Sequence, residues 1–250
     1  MPQPTTRYPN ADSLIDAARS FRRRHLSNEQ AAQWENDRQV PLEVLRLAAG
    51  YGFTGVEVPL AHGGLDIGYR AKLRLVEELS RTCMAFAFSL VNTHNVAAKI
   101  AHHGSSTQAE KYLPGLLAGE RIAATALTEP GTGSDLSAIA TSAQRVNDGW
   151  LLNGDKAWIT NATVADIFLV YAQTEPNSAT AGIGCFIVDA KRHGFHRHAA
   201  YSLLGGHAMG VSGFRLHDYH VDDSDLLYPP GSAFKSALNS INGARTYVAA

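Results

Sequence analysis

Ile122-Ala123-Ala124-Thr125-Ala126-Leu127-Thr128-Glu129-Pro130-Gly131-Thr132-Gly133-Ser134-Asp135 is where the apolar period of this 250-residue chain changes. Before it the spacing is helical, as in Leu14, Ala18 and Phe21, in Leu42, Leu45 and Ala48, and in Leu73, Val76 and Leu79. After it, short β-favouring runs recur at 122–128, 137–146, 150–159, 167–173, 183–189, 195–199 and 213–221. Asp148-Gly149 and Asn153-Gly154 both read as tight-turn signals. Many short strands at that spacing predict an antiparallel barrel or sandwich rather than alternating βαβ units. The chain therefore reads as α+β. An all-α helical domain spans 1–121, an antiparallel β-barrel or sandwich domain spans 122–230, and a C-terminal helical domain begins over 231–250.

The first half reads as five helices. Gly50 and Gly52 stop the second, and Gly104 follows the fourth, where a left-handed cap favours glycine. Thr107 with Glu110 predicts a capping box for the fifth. The fourth, Met84 to Ala101, is apolar over much of its circumference and should be the buried central helix. Helical spacing returns over Phe234 to Ala250, with Phe234, Leu238, Ile241 and Val248 as its apolar positions. That stripe breaks off without a cap, so the expectation is the front part of a longer architecture.

Composition narrows the function classes. Hydrophobic residues make up 45% and charged residues 18%, which argues against disordered and fibrous chains. A net charge of −1, from 22 basic and 23 acidic side chains, offers no footprint for nucleic acid. Cys83 and Cys185 stand in no metal-ligand spacing, which predicts a reducing, cytoplasmic setting. The N-terminal stretch has no apolar signal core, and no run is long enough for a membrane span.

The chemistry concentrates in two clusters. In 127–135, Gly131 and Gly133 permit close backbone approach, while Thr128, Thr132 and Ser134 supply hydroxyls, which makes a cradle for a phosphate or another polar ligand. It is not a P-loop, a dinucleotide fingerprint or a nucleophile elbow, because the lysine, the helix and the serine spacing those need are missing. The second cluster is Asn153-Gly154-Asp155-Lys156-Ala157-Trp158-Ile159-Thr160-Asn161. Together they resemble the acyl-CoA dehydrogenase family, whose Thr-Glu-Pro-Gly-x-Gly-Ser-Asp turn and Asn-Gly-x-Lys-x-Trp-Ile-Thr-Asn hairpin stand here at 128–135 and 153–161. The likeness also takes in Gly55-Val56-Glu57-Val58-Pro59, Gly63-Gly64, Glu77-Glu78-Leu79 and Tyr112-Leu113-Pro114.

The resemblance implies FAD as cofactor. By position Thr128 would hydrogen-bond the isoalloxazine edge, Gly133 and Ser134 would meet the pyrophosphate and substrate side, Trp158 would cover the ring, and Thr160 would address N5, with Leu127 also counted as cofactor-binding. It implies α,β-dehydrogenation of an acyl thioester carried by CoA or by a carrier protein, with Ser134, Phe88, Asn242 and Arg245 on the substrate side. The expected partners are an electron-accepting flavoprotein and further subunits of a homo- or hetero-oligomer. The catalytic glutamate is not found: of the two places where the family carries it, one is Ala244 here and the other falls beyond Ala250, and Glu129 reads as structural. Thr125, Gly205-Gly206-His207 and Ala208-Met209-Gly210-Val211 also depart from the family pattern. Two other readings are a noncatalytic flavin- or acyl-binding partner subunit and a flavin monooxygenase on the same fold, the latter disfavoured by the intact motifs. His193, His196, His198, His207, His217 and His220 read as solvated strand positions rather than a metal site, and His94 as a satisfied core or pocket residue.

Overall fold

The structure, a computed structural model, describes residues 7–249, so the predicted end of the last helix at Ala250 lies outside the described residues. One compact unit runs to Ile122 and adds Ser202–Gly210 and the segment from Thr246; the other comprises Ala123–Tyr201 and Val211–Arg245.

The first unit is helical: α1 (Ala11–His25), α2 (Asn28–Asp37), α3 (Leu42–Gly50), α4 (Tyr69–Ser80), α5 (Met84–His103) and α6 (Ser106–Leu117). Asn10 caps α1 by accepting from the Ser13 amide at 3.0 Å, which leaves Leu14, Ile15, Ala18 and Phe21 on the buried face. Phe21 stacks on Phe86 of α5 at 5.8 Å and meets Phe53 edge-on at 5.6 Å. Each such side chain contributes about 1.5–3 kcal/mol by leaving water. As expected, α5 is the central helix, with Phe86, Leu90, Val91, Val96 and Ile100 all buried.

Several helix boundaries correct the sequence reading. α2 was not expected, because Trp34 is its one buried residue and a single anchor makes no stripe. The capping box of α6 is Ser105 with Gln108, two residues before the predicted Thr107 and Glu110. Gly104 ends α5 in extended backbone, not left-handed; glycine is needed because a Cβ there would lie 2.6 Å from the Ile100 carbonyl oxygen. Gly50 is still helical, and Gly52, at φ 82°, makes the left-handed turn that follows α3.

The second unit is a sheet of β1 (Ala123–Ala126), β2 (Ser142–Val146), β3 (Gly149–Ile159), β4 (Ile167–Gln173), β5 (Ile183–Asp189), β6 (Phe195–Arg197), β7 (Ser212–Asp222) and β8 (Leu226–Tyr228). Its strand path is β6-β7-β3-β2-β4-β5-β8, with β1 beside β4. The helical-then-sheet order stands as read, but the sheet is open rather than a closed barrel, and it is mixed. β1 runs parallel to β4 from Ala123↔Ile167 to Ala126↔Val170, because the chain between them makes the β2–β3 hairpin before returning. Ile167–Ala172 and Ile183–Val188 are buried throughout, so β4 and β5 read as continuous apolar runs instead of alternating ones.

Asp148-Gly149 closes the β2–β3 hairpin as predicted. Asn153-Gly154 is not a turn, and 153–161 is not a hairpin. Gly154 sits inside β3 at a register shift with φ 152°, and a Cβ there would lie 2.6 Å from the Thr141 Cα. β8, only three residues long, was not read from the sequence. The last helix, α7 (Ala233–Ala249), buries Ala233, Ala237 and Tyr247, while Leu238 and Val248 of the predicted stripe are exposed. No helix of the described residues is long and apolar enough to cross a membrane.

Candidate functional site

The turn leaving β1 is built from inside outward. Glu129 and Thr132 exchange backbone hydrogen bonds at 2.9 and 3.1 Å, and the Thr132 hydroxyl donates to the Ala138 carbonyl at 2.9 Å. The Glu129 side chain, only 5% exposed, accepts from the Ala140 amide at 2.7 Å and the Thr141 amide at 3.0 Å. Lys156 of β3, 1% exposed, donates to that carboxylate at 2.7 Å and to the Leu127 carbonyl at 3.2 Å. The Ala157 amide adds a bond to the Thr128 carbonyl at 3.0 Å. Residues 127–129 and 156–157, 29 positions apart at Leu127 and Lys156, are thereby tied together.

Burial pushes Lys156 down to about 8, against the opposing pull of Glu129, so it keeps its proton at pH 7. Burial alone would raise Glu129. The Lys156 ammonium and the backbone amides of Ala140 and Thr141 outweigh that and hold the carboxyl below its usual range. The structural role read for Glu129 is thus a specific one, the counter-charge of a buried lysine. The sequence reading does not pair Lys156 with Glu129; the signal was that Lys156 is the one cation in the two glycine-bearing clusters, which also carry Glu129, Asp135 and Asp155.

On this scaffold the candidate residues are presented. Gly133 and Ser134 are exposed, and Thr128 is half-buried. A Cβ on Gly131 would meet nothing within 4 Å, and one on Gly133 only the Thr128 Cγ2 at 3.9 Å, so the turn's backbone is open to approach. Trp158 is 61% exposed, and its backbone is left-handed at φ 59° where β3 shifts register against β7. Its indole rests on the Tyr201 ring at 4.6 Å and 56°. Thr160 is half-buried and precedes Asn161, which is buried and also left-handed at φ 67°. An aromatic face left open beside an exposed glycine turn, together with hydroxyls, is the donor set that a flavin nucleotide needs, so the residues present fit FAD.

The other candidates stand on α5 and α7. Phe88 is half-buried on α5 of the helical unit, its carbonyl accepting from the Asn92 side chain at 2.9 Å. Asn242 and Arg245 are exposed on α7 and joined to each other at 3.2 Å, with half-buried Ala244 between them. No acidic residue occurs in Ala233–Ala249. His94 is fully buried but only half satisfied: Nε2 accepts from the Glu57 amide at 3.1 Å, whereas Nδ1 meets no partner among the described residues. His207 pairs with Glu35 of α2, at the departure from the family's Gly-x-Arg. Among the described residues no three His, Cys, Asp or Glu are grouped to hold a metal ion.

The family description "Acyl-CoA dehydrogenase, N-terminal domain" matches residues 9–120, and "Acyl-CoA dehydrogenase, middle domain" matches 124–219. A 3-(aryl)acrylate reductase of Clostridium sporogenes is 34% identical over 213 residues, 85% of this chain and 56% of that protein. The structure of butyryl-CoA dehydrogenase from Megasphaera elsdenii superposes with a TM-score of 0.91 at 27% identity, covering 98% of this chain and 65% of that one. PigA solved with FAD and proline gives a TM-score of 0.86 at 27% identity, covering 94% and 62%. The chain spans less than two thirds of each of these proteins. With both domain descriptions matched in order along the helical and sheet units, this chain belongs to the acyl-CoA dehydrogenase family.

Proposed function

We propose that this chain is the flavin-holding part of an enzyme that α,β-dehydrogenates an acyl thioester carried by CoA or a carrier protein. The observation that carries the reading is Trp158, held open in a left-handed conformation beside the pinned 128–134 turn. The chemistry FAD supplies is acceptance of a hydride from the substrate's β-carbon. Trp158 offers the apolar face for the ring, Leu127, Thr128 and Thr160 address its polar edge, and the exposed Gly133 and Ser134 meet the pyrophosphate and substrate side. Phe88, Asn242 and Arg245 are the proposed substrate contacts. The buried Lys156–Glu129 pair does no chemistry and keeps the turn in register with β3.

Proton removal from the α-carbon needs a carboxylate that α7 does not carry at Ala244. That absence favours one second reading, a noncatalytic flavin- or acyl-binding partner subunit. The exposed Leu238 and Val248 of α7 support association with another helical surface in a homo- or hetero-oligomer, and an electron-accepting flavoprotein is the proposed redox partner. Two buried thiols outside any disulfide support a reducing, cytoplasmic setting.

Anaerobic mixing of the FAD-loaded protein, as it occurs in its source, with a panel of acyl-CoA thioesters separates the readings. The dehydrogenase reading expects the flavin absorbance to bleach with at least one thioester. Retained flavin with no bleaching by any of them, together with bleaching gained by Ala244→Glu, sinks it in favour of the partner subunit.

A further inference from the structure

The end of β3 carries two strained residues, Trp158 at φ 59° and Asn161 at φ 67°. Such backbone persists only where its surroundings over-determine it. Asn161 is held from within: its side chain donates to the Ala123 carbonyl at 3.3 Å, and its carbonyl accepts from Val164 at 3.0 Å and Ala165 at 2.8 Å. That closes a single helical turn, and a helical turn leaves its last carbonyls without partners of its own.

Arg197 supplies those partners. Its guanidinium fork donates to the Ala162 carbonyl and, at 2.9 Å, to the Ala165 carbonyl. Although Arg197 as a residue is exposed, its planar group lies near the rings of Phe195 at 5.3 Å and Phe168 at 5.8 Å. A cation that spends its fork on two backbone carbonyls of one turn fixes that turn's orientation more than it contributes charge pairing.

Tyr201 acts at the other end. Its amide donates to the Val211 carbonyl at 2.9 Å, and its ring lies 4.6 Å from the Trp158 indole. A Cβ on Gly213 would lie 2.7 Å from the Tyr201 hydroxyl oxygen and 2.4 Å from the Lys156 carbonyl oxygen. The bare glycine therefore lets the phenol settle where β3 and β7 meet, two residues before Trp158. Arg197, on the 161–165 turn, and Tyr201, on Trp158, lie four residues apart on one segment and so hold the 158–165 stretch at both ends.

We propose that Arg197 and Tyr201 are positioning residues that hold the 158–161 turn in its ligand-ready shape, so that Trp158 and Thr160 are arranged before FAD arrives. This inference rests on the flavin reading above. The gain is preorganisation: a turn that keeps the bound shape only one-tenth of the time binds about tenfold more weakly.

The test uses the full chain with Arg197→Met, Arg197→Lys, Tyr201→Ala and Tyr201→Phe. Three readouts are taken: the FAD dissociation constant, the visible band of bound flavin, and amide exchange over 160–165 without FAD. Arg197→Met and Tyr201→Ala should weaken FAD about tenfold and shift the flavin band. Arg197→Met should also speed exchange at Ala162, Val164 and Ala165. Tyr201→Phe keeps the ring and should match the wild type. Arg197→Lys keeps the charge but not the fork, should behave as Arg197→Met, and carries the test if the methionine variant does not fold. Wild-type affinity, band and exchange in Arg197→Met and Tyr201→Ala would overturn the proposal, even if their melting temperatures fall. A wild type that takes up no FAD overturns the flavin reading and this proposal with it, and that outcome is visible without any variant.

Discussion

Replacing Lys156 by Met removes an ammonium that lies 2.7 Å from Glu129 in a place where almost no solvent reaches either group. The carboxylate keeps the Ala140 and Thr141 amides but loses its counter-charge, and the Leu127 carbonyl loses a donor. Breaking one partner of such a buried pair costs about 3–5 kcal/mol, because the remaining ion cannot be rehydrated. In a chain of this size 1 kcal/mol moves the melting temperature by roughly 2–4 °C, so a fall of about 6–20 °C is expected at pH 7. Glu129→Gln with Lys156→Met removes both charges and should recover much of that loss. Urea unfolding followed by far-UV circular dichroism measures Lys156→Met, Glu129→Gln alone and the double variant. A loss under about 1 kcal/mol in Lys156→Met, or a double variant as unstable as the sum of the two single ones, would refute the claim that this pair pins the 128–134 turn to β3.

Other consequences follow from single residues. His94 is buried neutral, with burial and then the nearby Lys72 ammonium lowering it to about 3. A lowered histidine contributes stability that is complete above pH 6.5 and is lost as pH falls from there towards 3, about 2 kcal/mol by pH 5. His94→Asn should remove that part of the slope between pH 7 and pH 5 in denaturant titrations, and an unchanged slope would contradict a neutral buried imidazole. Gly154→Ala should cost about 2–3 kcal/mol, since the methyl would collide with Thr141 and φ 152° suits only glycine; a neutral substitution would mean that β3 does not bulge there. Ser105→Ala should cost about 1 kcal/mol and Thr107→Ala much less, which thermal melts can rank.

The parts of this molecule that were legible in the sequence are those in which local pattern and tertiary environment agree. α5 is apolar almost all round because it is buried almost all round, and the runs at 167–173 and 183–189 coincide with β4 and β5 to the residue. Where a glycine serves close approach instead of turning, the sequence misleads. Asn153-Gly154 looks like a hairpin and is a bulge, because the reason for that glycine is Thr141, on a different strand. α2 escaped because one buried tryptophan gives no period, and Ser105 and Thr107 are two hydroxyls competing for the same cap.

The candidate site divides along the same line. The clusters at 127–135 and 153–161 were visible as chemistry, and the fold does bring Leu127 and Thr128 against Lys156 and Ala157. What could not be read was how they are held. A lysine flanked by aspartate in a half-polar strand looks exposed, and only the β1-to-β3 crossing places it on Glu129. Arg197 and Tyr201 carry no motif, and their roles depend on carbonyls and a ring 32 to 43 positions away in sequence.

The most direct test of the central claim is a diffraction structure of this protein crystallised with FAD. The account predicts the isoalloxazine against the Trp158 face, the Thr160 hydroxyl on its polar edge, the pyrophosphate at Gly133 and Ser134, and the 158–161 turn unchanged. Flavin bound elsewhere, with the indole still facing solvent, would contradict it.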